Sequence, residues 1–422
     1  MSTSRRDFFK VAAGTAGAVA LGATSACTSE SSSDVPEAIR RLEPFPGEFV
    51  PISDDERLGR IEKARRLMVD NGIDAIYLDS GTSMFYFTGV RWGQSERMLA
   101  AVIPARGDIA WICPAFEEER ARELIRFGDD IRTWHEHESP YQRVVQVFGD
   151  RGIRTGTIGI EERARFFLYD GIRKETPRSR FVIADPVTVG CRVIKSPAEL
   201  ALMQRANDIT VEAYKATFAT LYEGMPREEF GSNCAAAFTA LGVSGGAGAQ
   251  FGSASAFPHG SSKPQGLTEG DIVLVDGGCG VDGYRSDISR TIVFGEPTQR
   301  QQDVWDIERR AQDAALAAAG PGVPCEAVDA AARQVIVDAG FGPDYEYFFH
   351  RVGHGIGLDG HEWTYLVRGN TTPLEPGMCF SNEPGIYIYG EFGVRLEDCM
   401  YITDDGARLF TQQSPSIDQP FA

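Results

Sequence analysis

Apolar runs alternate with amphipathic stretches through the first half of the chain, a pattern typical of α/β folds. Strands are predicted at 74–79, 98–104, 109–113, 157–160 and 180–185. Ser53 followed by Glu56 forms a capping box, which predicts the start of a helix that Asn71-Gly72 ends. Helices are predicted at 54–69, 115–126, 140–149 and 164–174. We therefore expect a mixed sheet with helices packed on it.

The second half opens with a well-marked helix start. Lys195-Ser196-Pro197-Ala198-Glu199 combines an N-cap serine, a proline at the first helical position and a glutamate three residues after the cap. This helix is predicted to run to about Tyr222, before Gly224 and Pro226. Further helices are predicted at 227–241, 299–318 and 325–339. Because helix pairs alternate twice with β-rich segments, we predict a pseudo-symmetric α/β half.

Two segments, 271–294 and 379–402, each contain two β-rich runs separated by a turn, which predicts two hairpins. The first turn lies around Val281-Asp282-Gly283, and the second lies around Gly390. Each hairpin carries two acidic residues placed symmetrically about its turn. Symmetric positions in a hairpin are cross-strand neighbours, with Cβ atoms ~5 Å apart.

The acidic pairs are Asp276 with Asp287 and Glu383 with Glu397. Carboxylates held that close repel each other unless a cation lies between them. Asp276 follows the run Ile-Val-Leu-Val, which is typical of a buried strand, where an unpaired charge is costly. His354, in the Gly-rich segment HRVGHGIGL, adds an imidazole. We predict a metal-binding cage of four carboxylates and one imidazole.

The strings LVDGG, YRSDISRT, GHGIGL, NEPGIY and GVRLED occur in that order. They resemble the metallopeptidase family that includes methionine aminopeptidase, Xaa-Pro aminopeptidase, prolidase and creatinase. FPHG at 257–260 is similar to the proline-specific branch. The resemblance covers 195–415 throughout and the preceding segment loosely. It implies an α/β (α+β) chain with a creatinase-like N-terminal α/β domain and a pseudo-two-fold "pita-bread" catalytic domain.

The resemblance also implies two divalent ions, with Mn²⁺ expected first and Co²⁺, Zn²⁺ or Fe²⁺ as alternatives, since mixed carboxylate and imidazole ligands disfavour Ca²⁺. Asp276 would bind the first ion, and Asp287 and Glu397 would bridge both. His354 and Glu383 would hold the second ion. Glu383 would also transfer the proton of the attacking water.

Four further residues receive roles from the same resemblance. His259 is expected to face the substrate, and His361 to hydrogen-bond the scissile carbonyl. Arg395 is expected to orient Glu397 and to neutralise part of the cage. For His350 the sequence leaves open whether it supports the ligands or forms the wall of the pocket.

The function expected first is an Xaa-Pro aminopeptidase, which removes an N-terminal residue preceding proline. The short turn at 388–392 lacks the insertion of many prolidases and favours this choice. Ala254 and Trp363-Thr364-Tyr365 depart from the family pattern near the pocket and leave specificity open. The alternatives are an Xaa-Pro dipeptidase (prolidase), a metal-dependent hydrolase of a small non-peptide amide, and an inactive binding module.

The chain has 422 residues and a formal net charge of −18 at pH 7. This length predicts two domains, which we place at 51–190 and 195–415. The acidic balance argues against nucleic-acid and anionic-membrane binding by the folded body. A small peptide is the expected partner, and the resemblance implies a homodimer or a dimer of dimers.

Residues 1–26 resemble a twin-arginine export signal, with Arg5-Arg6 before a weakly apolar run too short to span a membrane. Thr-Ser-Ala-Cys, ending at Cys27, resembles a lipoprotein cleavage site. Cleavage after Ala26 without lipidation stays open. Residues 27–50 are predicted to be a linker. We therefore expect export to the cell envelope or periplasm, with a lipid anchor at Cys27.

Seven of the eight cysteines lie beyond Cys27 and form no CxxC pair, so we predict buried free thiols. Cys379 and Cys399 flank the second hairpin, and a disulfide between them stays open. His135 and His137 have a spacing that could bind metal, but their polar surroundings favour an exposed loop.

Overall fold

The computed structural model describes residues 35–421, and the first part of this range is built on a six-stranded sheet. Its strands are β1 (Ala75–Asp79), β2 (Ala100–Pro104), β3 (Ala110–Pro114), β4 (Asp130–Trp134), β5 (Thr157–Ile160) and β6 (Arg180–Ile183). They lie in the order β4-β3-β2-β1-β5-β6. Strand β2 is antiparallel to both of its neighbours, and the other pairs are parallel. The predicted mixed sheet is therefore confirmed.

The helices of this part are α1 (Glu37–Arg40), α2 (Asp54–Asp70), α3 (Thr82–Thr88), α4 (Glu118–Leu124), α5 (Pro140–Asp150), α6 (Phe166–Glu175) and α7 (Asp185–Arg192). The four predicted helices correspond to α2, α4, α5 and α6. Elements α1, α3, α7 and β4 were missed, and α1 lies in the predicted linker. Helix α3 is buried nearly all round, so its sequence has no polar face to show a helical period. Helix α7 is rich in Val and Thr, which favour strands, and β4 carries Asp and Arg at the edge of the sheet.

The helices of the second part are α8 (Pro197–Phe218), α9 (Arg227–Ala240), α10 (Gln299–Ala318) and α11 (Cys325–Asp338). The capping box that begins α8 is formed, with Ser196 and Glu199 each bonding the backbone N–H of the other. Helix α8 ends about one turn before the predicted Tyr222. There the backbone N–H and hydroxyl of Thr220 both donate to the Thr217 carbonyl, at 2.9 Å and 2.7 Å, and tighten the last turn.

The strands of the second part are β7 (Gly245–Phe251), β8 (Ile272–Val281), β9 (Tyr284–Arg285), β10 (Ile288–Val293), β11 (Gly353–Gly355), β12 (Glu362–Leu366), β13 (Cys379–Asn382), β14 (Gly385–Ile388), β15 (Phe392–Arg395), β16 (Asp398–Thr403) and β17 (Gly406–Leu409). One sheet has the order β10-β8-β7, a second has the order β12-β11-β13-β16-β17, and β14 pairs with β15. Each sheet follows a helix pair, α8 with α9 and α10 with α11. This repetition confirms the predicted pseudo-symmetric α/β half.

Each part has its own core. In the first part, alternate residues of the central strands pack against apolar residues of α5 and α6, such as Phe148 and Ile172. In the second part, Ala311 and Ala315 of α10 and Ala332 of α11 pack with the strands of the second sheet. Small residues on both helices let them approach each other closely, and the helix pair packs against one face of the sheet.

Buried polar contacts join the two parts. The Arg60 guanidinium of α2 donates to the Tyr284 hydroxyl at 3.1 Å, and that hydroxyl donates to the Glu199 carboxylate at 2.8 Å. Arg60 and Glu199 also form an ion pair at 3.5 Å, and all three residues are buried. A buried charge that loses its partner is costly, so these contacts oppose separation of the two parts.

Residues 36–47, at the end of the predicted linker, pack on the second part of the chain. Ile39 of α1 is buried, and the backbone N–H of Phe45 donates to the Leu241 carbonyl at 3.1 Å. The Arg205 guanidinium donates to the carbonyls of Phe45 and Pro46 at 3.1 Å and 3.0 Å. This end of the predicted linker therefore belongs to the folded body. The predicted export signal and Cys27 lie outside the described residues.

The seven cysteines of the described range are buried free thiols, as predicted. Cys379 lies opposite Tyr401, and Cys399 lies opposite Ser381, so the two sulfurs do not face each other across the strands. His135 and His137 are exposed, as expected for a loop. Within residues 35–421, the helices lack the combination of length and apolar character that crossing a membrane requires.

Candidate metal centre

The first acidic hairpin, β8 with β9 and β10, has its turn centred one residue beyond the predicted position, which shifts the strand pairing by two residues. Its turn is Asp282-Gly283, with positive φ angles of 47° and 93°, and Asp-Gly is a strong signal for a two-residue hairpin turn. Asp276 therefore lies opposite Ser289. The predicted direct pairing of Asp276 with Asp287 is wrong. Because Asp287 lies two residues from Ser289, it shares a face with Asp276 and is its diagonal neighbour.

The second acidic hairpin has the predicted register. Strand β13 pairs with β16 so that Asn382 lies opposite Asp398, and β14 pairs with β15 so that Gly385 lies opposite Arg395. Glu383 and Glu397 lie between these two strand pairs, opposite each other. Both register positions are symmetric about Gly390, as predicted.

The two hairpins meet edge to edge. Ser289 and Glu397 form an isolated antiparallel bridge, in which the Glu397 N–H donates to the Ser289 carbonyl at 3.2 Å. The Thr291 hydroxyl donates to the Arg395 carbonyl at 2.7 Å. This junction brings the acidic residues of both hairpins into one site.

The structure brings all five predicted metal ligands together. Oxygens of Asp276, Asp287 and Glu397 lie within 4.8 Å of one another, and so do ligand atoms of His354, Glu383 and Glu397. The Nε2 atom of His354 lies 3.2 Å from Glu383 Oε1 and 3.8 Å from Asp287 Oδ2. Glu397 belongs to both groups and therefore joins the carboxylates of the two hairpins and His354 into one cluster.

Neighbouring contacts fix the His354 ring. Its backbone N–H donates to the Ser381 hydroxyl at 3.0 Å, and its Nδ1 lies 3.1 Å from the Gly355 carbonyl. A carbonyl only accepts, so Nδ1 carries the proton and donates it. Although burial lowers it, the hydrogen bond and the charge of Glu383 raise the pKa of His354, so Nε2 donates to Glu383 in the metal-free site. Loss of that proton would free the Nε2 lone pair for a metal ion.

Burial and mutual repulsion disfavour negative charge in the cage. Burial raises the pKa of Asp287 above its ordinary value, and the charge of Asp276 raises it further. The pKa of Glu397 is raised for the same reasons, with burial first and Asp287 next. Burial acts the same way on Glu383, but the hydrogen bond and charge of His354, together with the charge of Arg395, outweigh it and lower the pKa of Glu383. Divalent cations would relieve this repulsion, so the residues fit a metal centre.

Arg395 is the cation that the protein itself supplies. Its guanidinium lies 2.8 Å from Asp276 and 3.9 Å from Glu397, and its Nε donates to the Ser289 hydroxyl at 3.0 Å. It also donates to the Tyr387 hydroxyl at 3.1 Å. Arg395 therefore contacts one carboxylate of each hairpin, Asp276 and Glu397.

Ser289 was missed in the sequence. Its hydroxyl lies 3.1 Å from Asp276 Oδ1 and 2.6 Å from Glu397 Oε2. The signal was the Asp-Gly turn, because the register that this turn fixes places Ser289 opposite Asp276. Ser381 was also missed, and its hydroxyl donates to Glu383 Oε1 at 3.0 Å.

The cage lies in a cavity of about 170 Å³. Besides the five ligands, its lining residues are Pro258, His259, His350, Arg351, His361 and Arg395. The His361 ring stacks on His354, with ring centroids 3.7 Å apart and planes 14° apart. Burial, followed by the proximity of His354, lowers the pKa of His361. A neutral His361 at the edge of the cage can donate one hydrogen bond to a substrate.

His350 lies deeper in the same cavity. Its Nε2 lies 2.8 Å from the Tyr387 hydroxyl, which also receives a hydrogen bond from Arg395. That phenol thus donates its own proton to His350. Burial lowers the pKa of His350 to about 4, so the ring is a neutral acceptor at physiological pH. His350 therefore both lines the cavity and takes part in the support of Arg395, which answers the alternative left open by the sequence.

Comparison with protein families finds two matches. The model described as metallopeptidase family M24 matches residues 201–404, and the one described as creatinase/prolidase N-terminal domain matches residues 60–194. An Xaa-Pro dipeptidase of Lactobacillus delbrueckii subsp. lactis is 32% identical over 364 residues, which cover 85% of this chain and 98% of the relative. An Xaa-Pro dipeptidase of Pyrococcus furiosus is 30% identical, with coverage of 84% and 97%.

Solved structures agree with these matches. Dipeptidase PepE from Mycobacterium ulcerans superimposes with a TM-score of 0.81 at 30% identity, covering 88% of this chain and 100% of that one. An X-Pro aminopeptidase from Thermotoga maritima gives a TM-score of 0.75 at 27% identity, with coverage of 85% and 99%. The fold therefore accommodates both specificities, and the pocket has to distinguish them.

Proposed function

Since this chain belongs to metallopeptidase family M24 and carries a creatinase/prolidase N-terminal domain, we propose that it is an Xaa-Pro dipeptidase. The observation that carries the proposal is one small cavity that is lined by both the ligand cage and Arg351. The relatives named Xaa-Pro dipeptidase support it. The dipeptidase alternative therefore replaces the aminopeptidase activity that the sequence favoured first.

Family M24 implies divalent metal ions, and Asp276, Asp287, His354, Glu383 and Glu397 would hold them. Carboxylate and imidazole ligands together favour Mn²⁺, Co²⁺, Fe²⁺ or Zn²⁺, and we propose two Mn²⁺ ions. When bound, such ions polarise the scissile carbonyl and supply a nucleophile at neutral pH.

The side chains of the cavity have distinct roles in this proposal. Glu383, whose lowered pKa keeps it ionised, accepts the proton of the attacking water and delivers it to the proline nitrogen. That nitrogen leaves as a secondary amine and therefore needs a proton. His361 donates its hydrogen bond to the carbonyl oxygen, where negative charge develops.

The chemistry of the Xaa-Pro bond determines which groups of a substrate the site can bind. An Xaa-Pro bond has no N–H, so a site that grips its substrate through that donor is disfavoured. Here the contacts go to the carbonyl through His361 and to the free amine through the carboxylates. Pro258, His259 and His350 offer a wall of limited polarity for the pyrrolidine ring.

Arg351 supports a dipeptide in preference to a longer peptide. Its guanidinium lies over the Tyr365 ring, 3.9 Å from the centroid, and it lines the cavity beside His350 and His354. Among residues 35–421, no carboxylate forms an ion pair with it. An Xaa-Pro dipeptide ends in a carboxylate one residue beyond the scissile bond, and a guanidinium is well suited to bind it.

The test is a substrate panel on protein stripped with chelator and reconstituted with Mn²⁺. Ala-Pro should be cleaved faster than Ala-Pro-NH₂ and Ala-Pro-Ala, and the stripped protein should be inactive. Arg351→Gln should raise KM for Ala-Pro by about 10- to 100-fold, the value of a charge-assisted contact. Ala-Pro-NH₂ serves as the matched control, because it lacks the carboxylate and should be unaffected.

Each outcome supports one of the proposed activities. Faster cleavage of Ala-Pro-Ala would support the Xaa-Pro aminopeptidase, and hydrolysis of small amides alone would support the non-peptide alternative. Full activity of the stripped protein would contradict metal dependence.

Export is a separate proposal, and it depends on residues 5–6 and 27 alone. We propose twin-arginine export to the cell envelope with a lipid on Cys27. Changing Arg5-Arg6 to Lys-Lys should hold the precursor in the cytoplasm without loss of activity, and Cys27→Ala should release the mature protein from the membrane fraction. Retention of the Cys27 variant on membranes would exclude that anchor.

A further inference from the structure

The segment that carries His361 is held by the N-terminal domain. We call residues 357–363 the His361 loop. The Arg163 guanidinium, from the connection between β5 and α6, lies 2.8 Å from Asp359 Oδ1 and donates to the His361 carbonyl at 3.3 Å. The Thr82 hydroxyl of α3 donates to the same Asp359 oxygen at 2.7 Å. Two separate elements of the N-terminal domain therefore contact this loop next to its histidine.

A buried charge cluster holds the other side of the same loop. Arg192, the last residue of α7, pairs with Asp359 at 2.7 Å and also with Glu362. Lys195 lies 2.9 Å from Glu362, and both side chains are almost fully buried. Burial would raise the pKa of Glu362, but Lys195 and Arg192 outweigh it and lower the pKa to about 2. Glu362 therefore stays ionised, and the loop is tied to the helix on either side of His361.

A third contact fixes the end of the loop. The indole N–H of Trp363 donates to Glu162 Oε2 at 2.5 Å. Glu162 is the neighbour of Arg163 in the N-terminal domain. Asp359, before His361, and Trp363, after it, are thus each bonded to the connection that follows β5.

The position of the His361 ring depends on this loop. The ring stacks face to face on His354 at 3.7 Å, and it is itself exposed at the cavity. Stacking leaves the ring free to slide along the partner plane, so the loop backbone has to define where the imidazole N–H points. A shift of about 1 Å in a catalytic group costs on the order of 10²-fold in rate.

We propose that the N-terminal domain positions His361 for catalysis, with Arg163 and Arg192 as positioning residues that act on Asp359, Glu362 and the His361 carbonyl. The proposal rests on the function proposed above in one respect only, namely that His361 acts in turnover. The N-terminal domain then contributes to the rate of the reaction although the metal ligands all lie in the second part of the chain.

Arg163 is the residue to change, because it is accessible. Its side chain is 52% exposed, and an exposed ion pair contributes little to stability. Arg163→Gln should therefore leave the melting temperature and the bound metal unchanged, and lower kcat by roughly 10-fold or more with little change in KM. Arg163→Lys keeps a positive charge beside Asp359 but cannot contact Asp359 and the His361 carbonyl through two separate nitrogens. Its kcat should therefore lie between those of the parent and Arg163→Gln.

The matched control is Arg91→Gln. Arg91 also belongs to the N-terminal domain, is 57% exposed and reaches across to the second part, where it lies 3.5 Å from Asp282. Its ion pair goes to the turn of the first hairpin, and among the described residues no ion pair or hydrogen bond joins it to the His361 loop. Its loss should leave kcat unchanged. Thr82→Ala, which removes the second contact to Asp359, provides an independent variant on a different element.

The decisive measurement is the same substitution in a His361→Ala background. If Arg163 acts through His361, Arg163→Gln lowers kcat in the parent but changes it by less than about 2-fold in that background, because the two changes are not additive. Equal losses in both backgrounds would overturn the proposal, and so would parental kcat in both Arg163→Gln and Thr82→Ala. The assay uses whichever substrate the parent enzyme cleaves, so failure of the Xaa-Pro dipeptidase proposal shows separately, in the parent's substrate panel.

Discussion

The two acidic hairpins hold their carboxylates in different ways. In the first, Asp276 and Asp287 are diagonal neighbours, and their side chains are 39% and 22% exposed. In the second, Glu383 and Glu397 lie opposite each other, and their side chains are 14% and 2% exposed. All four line the same cavity, but the first hairpin leaves its carboxylates more exposed than the second does.

This difference in exposure shows two ways in which a protein can hold carboxylates close together. The exposed pair retains part of its hydration. The buried pair needs protein partners, and it has them in His354, Ser289, Ser381 and Arg395. Burial is the first cause of the raised pKa of both Glu397 and Asp287, and the Glu397 side chain is the less exposed of the two. Metal binding should therefore matter most to the second hairpin.

The largest expected effect comes from removing a charge from either hairpin. Asp287→Asn and Glu397→Gln should each lower kcat by at least about 10²- to 10³-fold, because an amide cannot neutralise a cation that stabilises the reacting carbonyl. Turnover of Mn²⁺-reconstituted variants on Ala-Pro measures this. Parental turnover in Asp287→Asn would show that Asp287 is not a ligand of consequence.

Stability of the stripped protein should separate the two glutamates of the second hairpin. The pKa of Glu397 is raised in the folded state, so its contribution to stability falls as pH rises above its ordinary value of 4.5. The pKa of Glu383 is lowered, so its contribution is present above 4.5 and is lost as pH falls below it. At neutral pH, Glu397→Gln should therefore raise the melting temperature of the metal-free protein, and Glu383→Gln should lower it.

Thermal melts of chelator-treated protein between pH 5 and pH 8 give the measurement. Metal provides the control, since Mn²⁺ at 100 times its Kd should stabilise the parent by about 2.7 kcal/mol. Identical pH dependence in both variants would remove the distinction between the two glutamates.

The two supporting serines should show a smaller effect. Ser289 contacts carboxylates of both hairpins, whereas Ser381 contacts Glu383 and the His354 backbone. Alanine at either position should weaken Mn²⁺ binding by about 10- to 100-fold, and Ser289→Ala should be the weaker binder of the two. Calorimetric titration with Mn²⁺ measures this. Ser286→Ala is the matched control, because that buried serine of the first hairpin bonds Thr210 and Cys279 instead.

The smallest effects are expected at the hairpin turns. Arg300 pairs with Glu391 at 3.1 Å beside the second turn, and both side chains are about half exposed. Exposed pairs of this kind contribute about 0–1 kcal/mol. Arg300→Ala should therefore leave activity unchanged and shift the urea midpoint little. A large loss of stability would mean that the turn, and not the strand pairing beside the buried glutamates, fixes the register of the second hairpin.

The sequence predicted most of what local patterns encode. Capping residues, helix periods and the symmetric turn at Gly390 are local signals, and the elements that depend on them were correctly predicted. The first hairpin shows the limit, because a misplacement of the turn by one residue exchanged Asp287 for Ser289 opposite Asp276. The Asp282-Gly283 pair would have corrected it.

Contacts between distant segments could not be predicted in the same way. Arg163 and Arg192 look like ordinary surface charges in the sequence, and only the folded chain places them on Asp359. The same holds for Arg351, whose importance depends on its being without an acidic partner among the described residues. Helix α3 was missed for a related reason, because complete burial removes the amphipathic period on which helix prediction depends.

The small volume of the cavity bears on how a ligand would gain affinity. A space of about 170 Å³ is small beside the pockets of about 300–1,000 Å³ that enclose drug-sized ligands. The apolar contribution to affinity grows only until such a space is filled. The size of the cavity therefore favours a small ligand, independently of any charged group that recognises one of its ends.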